Sequence, residues 1–128
     1  MPHETSQRSV LIYVVDDDPH VGELVSVFLN SAGYRTQVFQ DPNAALEALS
    51  VSNPKPDLLV TDFRMPGLNG LELIRLCKEQ LPGLKTLSLS ATLTTARLQE
   101  DTSGPDITLP KPFRPGDLLE AVKGLLPA

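Results

Sequence analysis

Three aspartates, a serine and a lysine carry the chemistry legible in this 128-residue chain: Asp16, Asp17, Asp62, Ser90 and Lys111. Each closes a short apolar run or follows it directly. VLIYVV at 10–15 ends in Asp16, Asp17 and Asp18, and LLV at 58–60 leads through Thr61 to Asp62. LKTLSLS at 84–90 alternates apolar and polar, as a strand does, and ends in Ser90, and Ile107 to Leu109 precede Lys111, which stands between Pro110 and Pro112. Continuous apolar runs of this length read as strands buried on both faces. In open parallel sheets ligands bind beyond the carboxyl ends of the strands, so five polar residues are expected to share the ligand-binding end of one sheet.

Three carboxylates packed together repel, and each tends to take up a proton unless a positive charge is shared among them. A hard divalent cation answers this: Mg²⁺ prefers oxygen ligands, keeps several waters and commonly sits on one or two carboxylates plus a phosphate. A lysine and a hydroxyl at the same end then fit phosphate oxygens. The chemistry such parts suit is phosphoryl transfer to a carboxylate, with Asp62 as nucleophile forming an acyl phosphate, Lys111 pairing with a phosphoryl oxygen and Ser90 donating a hydrogen bond. An ionised carboxylate needs no general base.

Helices must carry the chain back between these strand ends. Asp18-Pro19 and Asp41-Pro42 both read as an N-cap followed by proline at the first helical position. The first opens a helix with Val21, Leu24, Val25, Phe28, Leu29 and Ala32 at helical spacing, ended by Gly33. The second carries Ala45, Leu46, Ala48 and Leu49. Asn69 caps a helix beginning near Gly70, with Leu71, Ile74, Leu76 or Cys77, and Leu81 on its apolar side, and Pro115 starts a last helix through Leu118, Leu119, Val122, Leu125 and Leu126. The segment from Thr92 to Ser103 is weakly amphipathic and is expected as a further, short helix. RTQVF at 35–39 is polar enough for an edge strand. Strand and helix alternating about five times predict a doubly wound α/β sandwich.

Composition narrows the class. A chain that is 41% hydrophobic and 21% charged is that of a soluble globular protein, and no apolar run approaches the ~20 residues of a membrane span. A net charge of −5 argues against unaided nucleic-acid binding. One cysteine, Cys77, rules out an internal disulfide and suits a reducing, cytoplasmic setting. Residues 1–8 are expected as a flexible tail and 9–128 as a single domain with no output domain. Asp18 is explained by capping; His20 and the Arg64 side chain are expected at the surface.

With VVDDDP at 14–19, TDFRMPGLNG at 61–70, SA at 90–91 and KPF at 111–113, the chain resembles the receiver (CheY-like) domain of bacterial two-component response regulators from about Val10 to Leu126. The resemblance implies a flavodoxin-like, five-stranded parallel sheet of order 2-1-3-4-5 with five helices, and a cis bond between Lys111 and Pro112. It implies that Asp62 is the phosphoacceptor, supplied by a sensor histidine kinase or histidine phosphotransfer protein, with a downstream protein target. It implies an Mg²⁺ held by Asp16, Asp17, Asp62 and the Arg64 backbone carbonyl, Ser90 as the switch hydroxyl and Lys111 as its ion-pair partner. Such a domain catalyses its own Mg²⁺-dependent phosphorylation and dephosphorylation without being a conventional enzyme.

The chain departs from the family in its last strand, where Ile107 and Thr108 stand in place of the usual inward-turning aromatic. Two other classes fit the fold: an interaction module that signals without phosphorylation, and an Mg²⁺-dependent phosphohydrolase; a receiver that serves only as a phosphate sink is a further alternative within the first reading. The phosphohydrolase typically places a second acid two residues after its nucleophile, where this chain has Arg64.

Overall fold

The computed structural model describes residues 10–65, 67–90 and 105–126. Five strands, β1 (Leu11–Val15), β2 (Arg35–Phe39), β3 (Leu58–Asp62), β4 (Lys85–Ser90) and β5 (Ile107–Pro110), form one parallel sheet of order β2-β1-β3-β4-β5. Among the described residues four helices connect and cover it: α1 (Pro19–Ser31), α2 (Pro42–Val51), α3 (Gly70–Gln80) and α4 (Pro115–Leu125). The expected tail at 1–8 and the expected helix over Thr92 to Ser103 lie outside the described residues.

The two faces of the sheet bury separate clusters, as the alternation of side chains along a strand requires. Ile12 and Val14 of β1, Leu58 and Val60 of β3, and Leu87 and Leu89 of β4 pack under Val25 and Leu29 of α1 and Leu118 and Val122 of α4. On the other face Leu11, Tyr13, Val15 and Leu59 pack under Ala45 and Leu49 of α2 and Leu73, Ile74 and Cys77 of α3. Burial pushes the Cys77 thiol up to about 12, so it serves as a small inert core residue.

The helix starts follow the capping logic. Asp18 and Asp41 each accept a hydrogen bond from the backbone N–H two residues on, at 2.9 Å, with proline at the first helical position. Asn69 and Glu72 form a reciprocal capping box at the start of α3.

Three details differ from the pattern read in the sequence. Leu24 belongs to the apolar repeat of α1 yet is 52% exposed, and the buried stripe instead runs through Gly22, Val25, Ser26 and Leu29. In α3, Leu73 is in the core and Leu76 lies outside it. The alternation of LKTLSLS describes a strand with one wet face, but only Lys85 is exposed; Thr86, Ser88 and Ser90 are all buried. A central strand in a doubly covered sheet has no solvent face, so its small hydroxyl residues go inside.

Candidate phosphoryl-acceptor site

The strand order reverses direction between β1 and β3, and there the carboxyl ends of neighbouring strands diverge into a crevice. Asp16, Asp17 and Asp62 meet in it. Each offers one carboxylate oxygen, and the three oxygens lie within 4.8 Å of one another. Asp16 directly follows β1, is buried, and accepts the Asp18 backbone N–H on Oδ1 at 2.9 Å. Its Oδ2 is buried with no hydrogen-bond partner. Asp17 is exposed beside it.

Lys111 comes in from the end of β5. Its Nζ donates to Asp62 Oδ1 at 2.8 Å and lies 3.9 Å from Asp16 Oδ2, while a quarter of the side chain stays exposed. The Lys111 N–H donates to the Ser90 carbonyl at 2.8 Å, joining the ends of β4 and β5 and fixing where the side chain leaves the sheet. The bond from Lys111 to Pro112 is cis. Ser90 is buried at the end of β4, one residue beyond Leu89, which pairs with Asp62. Arg64 is exposed and, with Phe63, Met65 and Asn69, lines a cleft of about 440 Å³ next to Asp62.

Electrostatics at this end are poised for a cation. The Asp16 carboxyl is pushed above the ordinary carboxylate range, first by burial; the Asp18 N–H opposes this, the negative charge of Asp62 adds to it, Lys111 offsets it, and Asp17 adds again. The Lys111 ammonium reaches two of the three acids. A donor set made only of carboxylate oxygens, one of them buried and without a hydrogen-bond partner, matches a hard divalent ion such as Mg²⁺ and not a soft or nitrogen-preferring metal.

Several residues that hold the site carry weak sequence signals. Gly70 is one: a Cβ there would lie 2.3 Å from the Asp62 carbonyl oxygen and 2.9 Å from Phe63 Cα, and its N–H donates to the Phe63 carbonyl at 2.9 Å. Its only sequence mark is a glycine inside a helix start, where no turn demands one. Asp57 precedes β3 and accepts the Leu11 N–H at 3.0 Å, tying β1 to β3. Asp106 precedes β5 and accepts the Thr86 N–H at 2.8 Å. An acid one residue before a strand reads as solvated loop unless the neighbouring strand is known.

Comparison with known proteins agrees with this geometry. The family model for the response regulator receiver domain matches residues 12–123. The DNA-binding response regulator MtrA of Mycolicibacterium smegmatis is 34% identical over 116 residues, which cover 90% of this chain and 50% of that protein. The chain thus spans about half the length of that relative. Among solved structures, Vibrio cholerae chemotaxis protein CheY4 superposes with a TM-score of 0.84 at 26% identity, covering 93% of this chain and all of that one. Response regulator TrrA of Thermotoga maritima, in complex with Mg²⁺-BeF, gives 0.79 at 31% identity, covering 91% and 99%. With a family model spanning most of its length and this strand order, the chain belongs to the receiver domains of two-component response regulators.

Proposed function

We propose that residues 9–128 act as one receiver unit that takes a phosphoryl group onto Asp62 from a phosphohistidine of a sensor kinase or phosphotransfer protein. The observation that carries the reading is the Lys111 ammonium on Asp62 Oδ1 with Asp16 and Asp17 alongside. The TrrA structure, bound to Mg²⁺-BeF, supports the metal assignment. The residues that would hold Mg²⁺ are Asp16, Asp17 and Asp62, with the Arg64 backbone carbonyl. Mg²⁺ bound there supplies charge neutralisation for the phosphoryl oxygens.

The chain's own residues do the rest. An Asp62 carboxylate oxygen attacks phosphorus in line, the P–N bond of the donor breaks with its electron pair going to the imidazole nitrogen, and an acyl phosphate forms on Asp62. Lys111 transfers its ion pair from the carboxylate to a phosphoryl oxygen, and Ser90 donates a hydrogen bond to another. Attack of water on phosphorus later releases phosphate and restores the carboxylate.

MtrA is described as DNA-binding. To the present span, with a net charge of −5, we assign protein partners and no direct nucleic-acid contact. None of the helices among the described residues is long and apolar enough to cross a membrane. As a receiver, the chain is assigned to the cytoplasm. Profiling phosphotransfer from a panel of phosphorylated histidine kinases tests the reading. Rapid transfer from one or a few kinases, lost in Asp62→Asn, is expected; no transfer from any kinase or small phosphodonor would overturn it.

A further inference from the structure

β5 has little to hold it. It is four residues long, lies at the sheet edge with only β4 as a neighbouring strand among the described residues, and ends in Pro110, which has no N–H to give. Yet the reach of Lys111 to Asp62 depends on where β5 sits along β4. Register in a strand this short needs a fixed point, because a slip of one residue moves every side chain to the opposite face.

Asp106 supplies one. A single carboxylate oxygen, Oδ2, accepts the Thr86 backbone N–H at 2.8 Å, the Thr86 hydroxyl at 3.1 Å and the Lys78 ammonium at 3.1 Å. In return the Asp106 N–H lies 3.1 Å from both the Thr86 hydroxyl oxygen and the Thr86 carbonyl. The start of β5 is thereby locked to the start of β4. At the far end, the Lys111 N–H meets the Ser90 carbonyl at 2.8 Å.

Lys78 extends the lock to the acceptor. It sits in the last turn of α3, and the first residue of that helix, Gly70, rests against Asp62 and Phe63. Helix α3 therefore spans from the acceptor's backbone to the Asp106 carboxylate. The strand bearing the lysine and the strand bearing the acceptor are referenced to the same rigid element.

We propose that Asp106 is a positioning residue for Lys111: acting from the opposite end of β5, it fixes the strand so that the ammonium reaches Asp62. The inference rests on the role given to Lys111 above, but its test does not require phosphorylation. In metal-free, full-length protein, each lysine is acylated with an amine-reactive ester and its rate read by mass spectrometry. Asp106→Ala is expected to raise labelling of Lys111 roughly five-fold, the scale of losing one partly exposed ion pair. Lys78, which loses its own partner, rises too, whereas Lys55 and Lys123 stay at wild-type rates. Asp106→Asn, which keeps an acceptor for the Thr86 N–H, retains the protection of Lys111. Thr86→Val, which removes only the hydroxyl arm, raises Lys111 labelling by less and decides the matter if Asp106→Ala fails to fold. Unchanged Lys111 labelling in a folded variant, or an equal rise at every lysine, would overturn the proposal.

Magnesium titration gives a second readout of opposite sign to simple loosening. Lys111→Ala is expected to tighten Mg²⁺ binding by removing a competing cation; Asp106→Ala tightens it in the same direction, and combining the two adds little. Weaker Mg²⁺ binding in Asp106→Ala, or fully additive effects, would count against the positioning role. Absence of Mg²⁺ binding in the wild type would instead sink the metal assignment, leaving the labelling result to decide this inference.

Discussion

Gly70 stands so close to Asp62 that a Cβ at position 70 would lie 2.3 Å from the Asp62 carbonyl oxygen. The contact is with backbone, which cannot swing aside as a long side chain does. Helix α3 can begin directly behind Asp62 only because residue 70 has no side chain. Gly70→Ala is therefore expected to cost about 1–3 kcal/mol, the usual range for overpacking a tight site. It should also slow phosphorylation of Asp62 by displacing the carboxylate. Urea denaturation alongside phosphorylation kinetics checks both; wild-type values for both would show that α3 moves away freely.

Asp16 carries a built-in cost in the metal-free protein. Burial raises its folded carboxyl above the unfolded value, and Oδ2 has no hydrogen-bond partner. A raised acid contributes stability at pH below its unfolded value and loses it as pH rises through the folded one. Asp16→Asn keeps the acceptor for the Asp18 N–H and cannot ionise. At pH 7 without Mg²⁺ it should be more stable than wild type by on the order of 1–3 kcal/mol, while losing Mg²⁺ binding. The gain should close as pH falls toward about 4. Calorimetry across pH measures it, and a variant less stable than wild type at pH 7 would be the contrary result.

Asp106 has the opposite sign. Its burial raises the carboxyl, but the Thr86 N–H, the hydrogen bond and charge of Lys78, and the Thr86 hydroxyl together outweigh burial and hold it below the ordinary range. A depressed acid contributes stability above its unfolded value, lost as pH falls through the folded one. Wild type should exceed Asp106→Asn by about 1 kcal/mol at neutral pH, the partial exposure of the cluster limiting the gain. The gap should begin to shrink near pH 4 and close as pH falls further, through the depressed folded value. A gap independent of pH would mean that charge on Asp106 contributes nothing.

Arg64 is exposed beside the acceptor and lines the adjoining cleft. A long side chain there can shield the path of an attacking water without touching the donor's approach. Arg64→Ala is expected to change the dephosphorylation rate severalfold, by about one kcal/mol of barrier, and the phosphorylation rate much less. Following phosphate release after removal of the donor provides the check; identical decay would remove Arg64 from this role.

Much of this molecule was legible before folding because its signals are local. The acids and the lysine stand at the ends of apolar runs, and the Asp-Pro starts and the Asn69 cap mark helices by their own capping chemistry. What escaped the sequence depends on partners far along the chain. Asp57 and Asp106 look like loop acids until β1 and β4 lie alongside, and Gly70 looks dispensable until the Asp62 carbonyl is set against it. Leu24 shows the reverse: helical spacing places it on the apolar stripe, but the stripe that meets the sheet is narrower than the pattern. Thr108 pairs with Ser88 inside the β4–β5 ladder, so a small hydroxyl stands where the family resemblance placed an aromatic.

The most direct measurement is peptide-level mapping of the acyl phosphate. Protein treated with acetyl phosphate and Mg²⁺ is trapped with borohydride, digested and sequenced by mass spectrometry. Reduction at Asp62 alone is predicted, dependent on Mg²⁺, abolished in Asp62→Asn and strongly reduced in Lys111→Ala. Trapping at another residue, or none at Asp62 in folded protein with Mg²⁺ present, would contradict the assignment of Asp62 as the acceptor.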